Sequence, residues 1–210
     1  MWVIKLGGSL LGSAELRHWL NLIAKHGNGK IVIVPGGSVF ADAVREAQQR
    51  SGISDAIAHK LALLAMDQYG ELLAAMNPNL VTARSELELA ECGWQHKGII
   101  WLPSRMALAD ASIPKNWALT SDSLSAWLAN KLGAKHLVLV KSKTLNAYKK
   151  TVSIQTLVQD ALVDSEFLDM ARGSVYDSWL LHKTDYAVFE QGFHEGQLKE
   201  KGWLVNLSTD

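Results

Sequence analysis

Residues 2–9 read WVIKLGGS and predict a buried β-strand followed by a glycine turn. The strand, Trp2–Leu6, is apolar at every position except Lys5, as expected of a parallel strand covered on both faces. The glycine pair after it leaves backbone N–H groups accessible to an anion, because no Cβ stands in the way. Ser13 then has the position of a helix N-cap, and apolar residues at helical spacing continue toward Gly27. The start of the chain is therefore predicted to be a strand, an anion-binding turn and a helix.

A second strand and a second glycine pair follow directly. The apolar run Ile31–Val34 leads into Pro35, Gly36 and Gly37, and a helix is predicted over residues 40–50. The carboxyl ends of parallel strands meet at one edge of a sheet, so two such pairs would line one pocket with amides. One pair alone is equally well explained as a tight turn, but two on successive strands favour phosphate binding. Neither pair belongs to a Gly-x-x-x-x-Gly-Lys-Ser/Thr or a Gly-x-Gly-x-x-Gly sequence, which argues against P-loop and Rossmann sites.

Short apolar runs alternate with helical patterns along the whole chain. This alternation predicts an α/β fold, a three-layer αβα sandwich in which helices cover both faces of a mainly parallel open sheet. A single domain over residues 1–210 is predicted, because no repeat or proline-rich linker divides the sequence. The predicted strands are Trp2–Leu6, Ile31–Val34, Ile99–Leu102, Leu137–Val140, Ala187–Phe189 and Trp203–Val205. Further helices are predicted from Ser54 to Asn77, from Ser85 and from Ser121 to Gly133.

Composition argues against several classes of protein. The 21 basic and 21 acidic residues cancel, which argues against a chain that coats nucleic acid or an anionic membrane. The single cysteine, Cys92, permits no internal disulfide or zinc knuckle and favours a reducing cytoplasm. The longest uninterrupted apolar run, Leu61–Met66, is too short to span a bilayer. No histidine pair has zinc-binding spacing, so no metal held by protein side chains is expected.

Charge is distributed unevenly along the chain. Residues 111–150 contain seven lysines and one acidic residue, Asp122. A later acidic segment, residues 160–195, balances this one, so the neutral total hides two regions of opposite charge. Asp122 lies among Thr120, Ser121 and Ser123 at a predicted helix start. Capping alone would account for Ser121 or Asp122, but three hydroxyls beside one carboxylate also suit an aspartate that orients lysines toward bound phosphate.

The motifs KLGGS at Lys5–Ser9, PGG at Pro35–Gly37 and TSD at Thr120–Asp122 occur in an order that resembles the amino acid kinase family. The resemblance covers roughly residues 1–145. It implies an αβα sandwich whose amino-terminal half, to about residue 105, binds the phosphoryl acceptor, and whose carboxyl-terminal half, from about residue 106, binds ATP with Mg²⁺. It also implies a homodimer or higher homo-oligomer that acts on a small molecule, and it places the lysine-rich segment 111–150 beside the polyphosphate of ATP.

Residue roles follow from the resemblance. Lys5 would stabilise the transferred phosphoryl group, and Asp122 would organise the lysine and the magnesium–ATP complex. Thr120 and Lys141 would contact the nucleotide. The expected phosphate-binding residues are Gly7, Gly8, Ser9, Gly36 and Gly37.

The nucleotide-binding half departs from the family pattern in two places. Many members carry an Asp-Val-Asp-Gly type sequence where residues 141–146 of this chain read KSKTLN. Many also carry a second catalytic lysine on a later glycine-rich loop, whereas the segment Gly173–Asp177 contains none. These departures leave open a protein of the same fold that senses a nucleotide without catalysis.

Residues 37–70 are similar to a small branch of the family connected with methanofuran biosynthesis. This similarity implies a phosphorylated aminomethylfuran alcohol as acceptor and a diphosphate as product, with Arg45 and His59 in contact with the acceptor. Arg45 is otherwise a surface residue and His59 a core or interface histidine, and Asp67 either faces the aminomethyl group or ends a polar stripe. The alternative enzyme is an acyl-phosphate-forming kinase of the acetylglutamate or aspartate type.

Overall fold

The structure is a computed structural model that describes residues 1–208. These residues contain the strands β1 (Trp2–Leu6), β2 (Ile31–Pro35), β3 (Leu80–Ala83), β4 (Gly98–Trp101), β5 (His136–Lys141), β6 (Thr151–Ser153), β7 (Asp177–His182) and β8 (Trp203–Asn206). They form one sheet in the order β3-β4-β2-β1-β5-β7-β8-β6. The strands from β3 to β7 in this order are parallel, β8 is antiparallel to β7, and β6 is parallel to β8. The predicted mainly parallel sheet is confirmed.

Serine side chains cap the starts of two of the predicted helices. Ser13 accepts a hydrogen bond from the Leu16 amide at 3.4 Å, and Ser85 accepts one from the Glu88 amide at 3.3 Å, as the sequence predicts. None of the helices in residues 1–208 is long and apolar enough to cross a lipid bilayer. The helices are α1 (Ala14–His26), α2 (Ser38–Ser51), α3 (Asp55–Ala75), α4 (Glu86–Trp94), α5 (Ser104–Ala109), α6 (Ser121–Lys131), α7 (Ile154–Gln159), α8 (Phe167–Ala171) and α9 (Glu195–Lys201), with 3₁₀ helices at Gly8–Leu10 and Lys183–Phe189.

One predicted strand is wrong and three strands were not predicted. Ala187–Phe189 lies in a 3₁₀ helix, where Phe189 packs on Trp19 of α1; its apolar character reflects that contact and not a place in the sheet. The strands β3 and β6 have only 4 and 3 residues, too few to show a period. The third, β7, begins with the polar residues Asp177 and Ser178, which hid its apolar centre.

Alternate residues of the central strands face opposite helical layers. Val3, Leu137 and Leu139 belong to one core with residues of α6 and α8. Their neighbours Ile4 and Val138 belong to a second core with residues of α1 and α9. This two-sided burial explains why the strands are apolar throughout. By the same alternation, the side chains at positions 5 and 141 fall on the face that α6 covers.

Candidate active site

The ends of three parallel strands bring the predicted loops together. Leu6 at the end of β1 is in register with Pro35 of β2 and Val140 of β5. Gly7, Gly36 and Lys141 come next in these three strands, so they lie along one edge of the sheet. The two glycine pairs of the sequence therefore lie side by side in the structure.

The two glycine turns pack backbone against backbone. A Cβ built on Gly8 would lie 2.3 Å from the Ser38 amide nitrogen, and a Cβ on Gly36 would lie 2.5 Å from the Gly8 nitrogen. No side chain fits at either position, so glycine is required for this close approach. The Gly36 amide also donates to the Leu6 carbonyl at 3.0 Å, which joins the second turn to the first strand.

Below these turns, one carboxylate lies between two lysines. The Lys5 ammonium is 2.9 Å from Oδ1 of Asp122, and the Lys141 ammonium is 2.8 Å from Oδ2. All three side chains are at least nine-tenths buried. Asp122 is in the first turn of α6, and the strand alternation aims both lysines at that helix. The site therefore holds a buried group with a net charge of +1.

The two lysines control the ionisation of the aspartate. Burial alone would raise the pKa of Asp122, but Lys141 and Lys5 outweigh it and hold this pKa at about 2. Burial lowers the pKa of Lys141 to about 8, against the opposing effect of Asp122. Lys141 is therefore still mostly a cation at pH 7, close to the range in which it loses its proton.

A second carboxylate, Asp164, lies behind this group and was not predicted from the sequence. Its Oδ2 accepts hydrogen bonds from the Thr120 amide at 3.0 Å, the Thr120 hydroxyl at 2.6 Å and the Ser123 amide at 3.1 Å. Its Oδ1 accepts from the Ser123 hydroxyl. Asp164 thus caps α6 from outside the helix, and two of the three hydroxyls expected to surround Asp122, those of Thr120 and Ser123, are bonded to Asp164 instead.

A cavity of about 550 Å³ opens beside Lys5. Its polar residues come from the glycine turns, from α2 and from the starts of α3 and α6, while Leu63, Met66 and Leu124 form part of an apolar wall. The sequence-predicted residues that line it are Lys5, Gly7, Gly8, Ser9, Gly37, Arg45, His59 and Thr120. Gly36, Asp122 and Lys141 are not in the lining; Asp122 and Lys141 adjoin the cavity through Lys5. Most of the predicted site residues therefore surround one space.

Arg45 is held against Trp117, a tryptophan that no sequence pattern marks as part of a site. The guanidinium carbon of Arg45 lies 4.5 Å from the centre of the Trp117 ring, and its Nη1 lies 2.9 Å from Oδ1 of Asp42. The Trp117 indole N–H donates to Oε1 of Gln48 at 2.6 Å. Because Arg45 and Gln48 are both on α2, this helix anchors Trp117 at two points. All three of Arg45, Trp117 and Asp42 line the cavity.

His59 is a buried histidine that borders the cavity. Burial lowers its pKa, which the backbone of Asn116 opposes and Lys115 reinforces. The imidazole is therefore neutral at pH 7. Asp67, in contrast, accepts hydrogen bonds from the amide and hydroxyl of Ser104 at the start of α5 and does not line the cavity.

The lysine-rich segment does not form a continuous polyphosphate-binding surface. Lys131 pairs with Glu86 at 3.2 Å, and Lys150 donates to the carbonyls of Glu200 and Lys201 at the end of α9. The lysine of this segment that pairs with Asp122 is Lys141. Among residues 1–208, no three His, Cys, Asp or Glu side chains are grouped as metal ligands.

Residues 1–150 match the amino acid kinase family, and the chain belongs to that family. A curated relative is the [5-(aminomethyl)furan-3-yl]methyl phosphate kinase of Methanocaldococcus jannaschii, which is 36% identical over 145 residues. The matched region covers 66% of this chain and 64% of the relative, less than two thirds of its length. The family predicted from the three motifs is confirmed.

Solved structures of low sequence identity share the fold. The UMP kinase of Bacillus anthracis superposes with a TM-score of 0.70 at 15% identity, covering 99% of this chain and 96% of that one. The uridylate kinase of Archaeoglobus fulgidus gives a TM-score of 0.65 at 16% identity, covering 85% of this chain and 89% of that one. These likenesses confirm the predicted αβα architecture.

Proposed function

We propose that this protein is an ATP-dependent phosphotransferase that converts a phosphorylated aminomethylfuran alcohol to its diphosphate. The observation that carries the proposal is the buried group of Lys5, Asp122 and Lys141 beside a cavity lined by two glycine turns. Phosphoryl transfer depends on alignment and charge neutralisation and needs no covalent intermediate on the protein. The name of the relative from M. jannaschii supports this class of acceptor.

In the proposed reaction, a phosphate oxygen of the acceptor attacks the γ-phosphorus of ATP in line with the leaving ADP oxygen. A P–O bond to the acceptor forms as the bond to ADP breaks. The attacking oxygen already carries negative charge, so no general base is required. Lys5 faces the cavity and neutralises charge that develops on the transferred group, while the backbone amides of Gly8 and Gly37 donate to phosphate oxygens.

Mg²⁺ would enter the site as part of the substrate, already bound to ATP. Both carboxylate oxygens of Asp122 lie beside lysine ammonium groups, at 2.9 and 2.8 Å, so the charge of the aspartate is directed at the two lysines. Its role is to hold Lys5 and Lys141 at a fixed separation. Lys141 lies on β5, which supplies a second cation although the later loop Gly173–Asp177 has no lysine.

The acceptor end of the cavity supports an anionic substrate. Arg45 is oriented by Trp117 on one side and Asp42 on the other, and a guanidinium held in this way suits a phosphate group. His59, neutral and buried, offers a hydrogen bond to a phosphate or substrate oxygen. The apolar residues Leu63 and Met66 would contact the ring of the acceptor.

Phosphorus NMR with ATP and candidate acceptors tests the proposal. The expected result is a pair of coupled diphosphate signals from the phosphorylated aminomethylfuran alcohol, together with ADP. A product trapped by hydroxylamine would instead identify an acyl phosphate and an acetylglutamate- or aspartate-type kinase. ATP binding by calorimetry without ADP formation on any acceptor would contradict catalysis and favour a nucleotide sensor.

Replacing Arg45 with glutamine is expected to raise KM for the phosphorylated acceptor by roughly tenfold, because a charge-assisted hydrogen bond to phosphate is lost. The KM for ATP should change less than twofold. Steady-state kinetics with each substrate varied in turn measures both values. Arg50→Gln is the matched control, since Arg50 pairs with Glu46 on the same helix and does not line the cavity. Equal changes in the two KM values would contradict a specific role for Arg45.

The affinity for ATP is expected to fall about tenfold between pH 7.5 and pH 9. Lys141 loses its proton as the pH rises through its lowered pKa of about 8, and a bound polyphosphate favours the protonated form. Calorimetry at the two pH values measures the change. The variant Lys141→Met should bind ATP weakly at both values and lose most of this dependence. An equally steep dependence in the variant would assign it to another group.

Two further proposals concern assembly and compartment. Ile57 and Leu64 of α3 remain 49% and 38% exposed and lie two turns apart on one helical face, which supports association with a second copy through this helix. Sedimentation of a 23.0 kDa species at micromolar concentration would contradict the homodimer.

The single cysteine supports a reducing cytoplasm, which localisation of a tagged chain would test.

A further inference from the structure

Asp164 makes an unusual set of contacts for a residue between two short helices. Within residues 1–208, its carboxylate accepts four hydrogen bonds, all from Thr120 and Ser123. These residues flank Asp122 on both sides in the first turn of α6. A carboxylate 42 residues further along the chain therefore clamps the segment that carries the central aspartate of the site.

The hydrogen bonds to Asp164 fix the backbone that positions the Asp122 side chain. An aspartate held between two lysines works only if its carboxylate stays within hydrogen-bond distance of both. Thr120, the N-cap residue of α6, has no side-chain bond to its own helix; its hydroxyl donates to Asp164 instead. The helix start is therefore anchored by Asp164, where most helices rely on their own N-cap side chain.

Asp164 also acts on the charges of the site. Burial raises its pKa, and the nearby Asp122 raises it further, so placing a second carboxylate here is unfavourable unless its hydrogen bonds offset the cost. Its negative charge raises the pKa of Lys141, as does that of Asp122, while Lys5 lowers it. Asp164 thus helps to keep Lys141 protonated.

We propose that Asp164 is a positioning residue for phosphoryl transfer, which acts by fixing the first turn of α6 so that Asp122 holds Lys5 and Lys141 together. The inference rests on the proposed function. Asp164 does not line the cavity, so it acts through Asp122 and not by contact with substrate. Its effect is accordingly expected in the chemical step and not in acceptor binding.

The test compares Asp164→Asn with a variant that removes an ordinary cap. In Asp164→Asn, kcat should fall roughly 10- to 100-fold and KM for the acceptor should stay within about threefold, while KM for ATP should rise only as far as Lys141 loses its proton. The control is Ser85→Ala, which removes the cap of α4; Ser85 does not line the cavity. It should lower the melting temperature without changing kcat. Asp164→Glu, which keeps the charge, should retain more activity than Asp164→Asn.

A readout that does not require turnover separates failure of this inference from failure of the proposed function. NMR of lysines labelled at the carbon next to Nζ follows the titration of Lys141 in the free protein. Its midpoint should move to lower pH in Asp164→Asn, because a negative charge near Lys141 is removed while Lys5 and Asp122 remain. An unchanged midpoint together with unchanged kcat would overturn the positioning role. A shifted midpoint in a protein with no kinase activity would overturn the proposed function alone.

Discussion

Replacing Lys5 with methionine is expected to lower kcat by roughly 10²- to 10³-fold, the loss typical of one electrostatic donor at a reacting centre. Methionine keeps the length and the apolar stem of the side chain, so the strand should still pack. The lost cation is the one that faces the cavity, and its effect should be confined to the transferred phosphoryl group. KM for the acceptor should therefore change little.

Single-turnover measurement of ADP formation tests this expectation, because it reports the chemical step without product release. Lys30→Met is the matched control, since Lys30 is exposed and precedes β2 at the opposite end of the sheet. A Lys5→Met protein that keeps more than a third of the wild-type rate would contradict a catalytic lysine at this position. If neither the wild type nor Lys5→Met forms ADP and both bind ATP equally well, the result would favour a nucleotide sensor.

The sequence predicts which residues the fold brings together where their positions follow from the strand pattern. Lys5, the glycine turns and Asp122 each carry a local signal: a charge in an apolar strand, a paired glycine, a carboxylate at a helix start. The register of parallel strands then brings the turns and Lys141 to one edge. These features follow from period-two alternation and from the common edge of parallel strand ends.

The contacts that the sequence does not reveal are those between distant segments. Asp164 reads as one acid among several, and only the fold shows that it caps a helix 41 to 44 residues earlier in the chain. Trp117 reads as a core residue until its ring is found against Arg45. The false strand Ala187–Phe189 has the same origin, because an apolar run does not specify whether it pairs with a strand or packs on a helix.

The net charge of a sequence segment is a weak predictor of which charged residues lie together in the fold. The lysines between residues 111 and 150 are close in sequence, but β5 separates them in space. Lys135 precedes β5 at one end of the strand, and Lys141 is the last residue at its other end. The Lys135 amide donates to the Met1 carbonyl at 2.9 Å at one end of the sheet, whereas Lys141 lies beside Asp122 at the other. Only the lysine at the carboxyl end of the strand therefore belongs to the site.

Replacing Asp122 with asparagine is expected to reduce the free energy of unfolding by about 3 kcal/mol or more at pH 7, besides abolishing most activity. The substitution leaves Lys5 and Lys141 buried and facing each other without their common anion, and breaking a buried ion pair from one side is strongly destabilising. Urea unfolding of both proteins measures the difference. A double variant, Asp122→Asn with Lys141→Met, should recover part of it, because only one buried cation then remains unpaired.

The sign of the pH dependence distinguishes loss of these ion pairs from a simple loss of packing. The pKa of Asp122 is about 2 in the folded protein, below the usual value of about 3.9 in an unfolded chain. Its contribution to stability is therefore complete above about pH 4 and is lost as the pH falls toward 2. The gap between wild type and Asp122→Asn should narrow over that interval. A gap that stays constant from pH 7 to pH 2 would mean that the carboxylate charge is not what joins the two lysines.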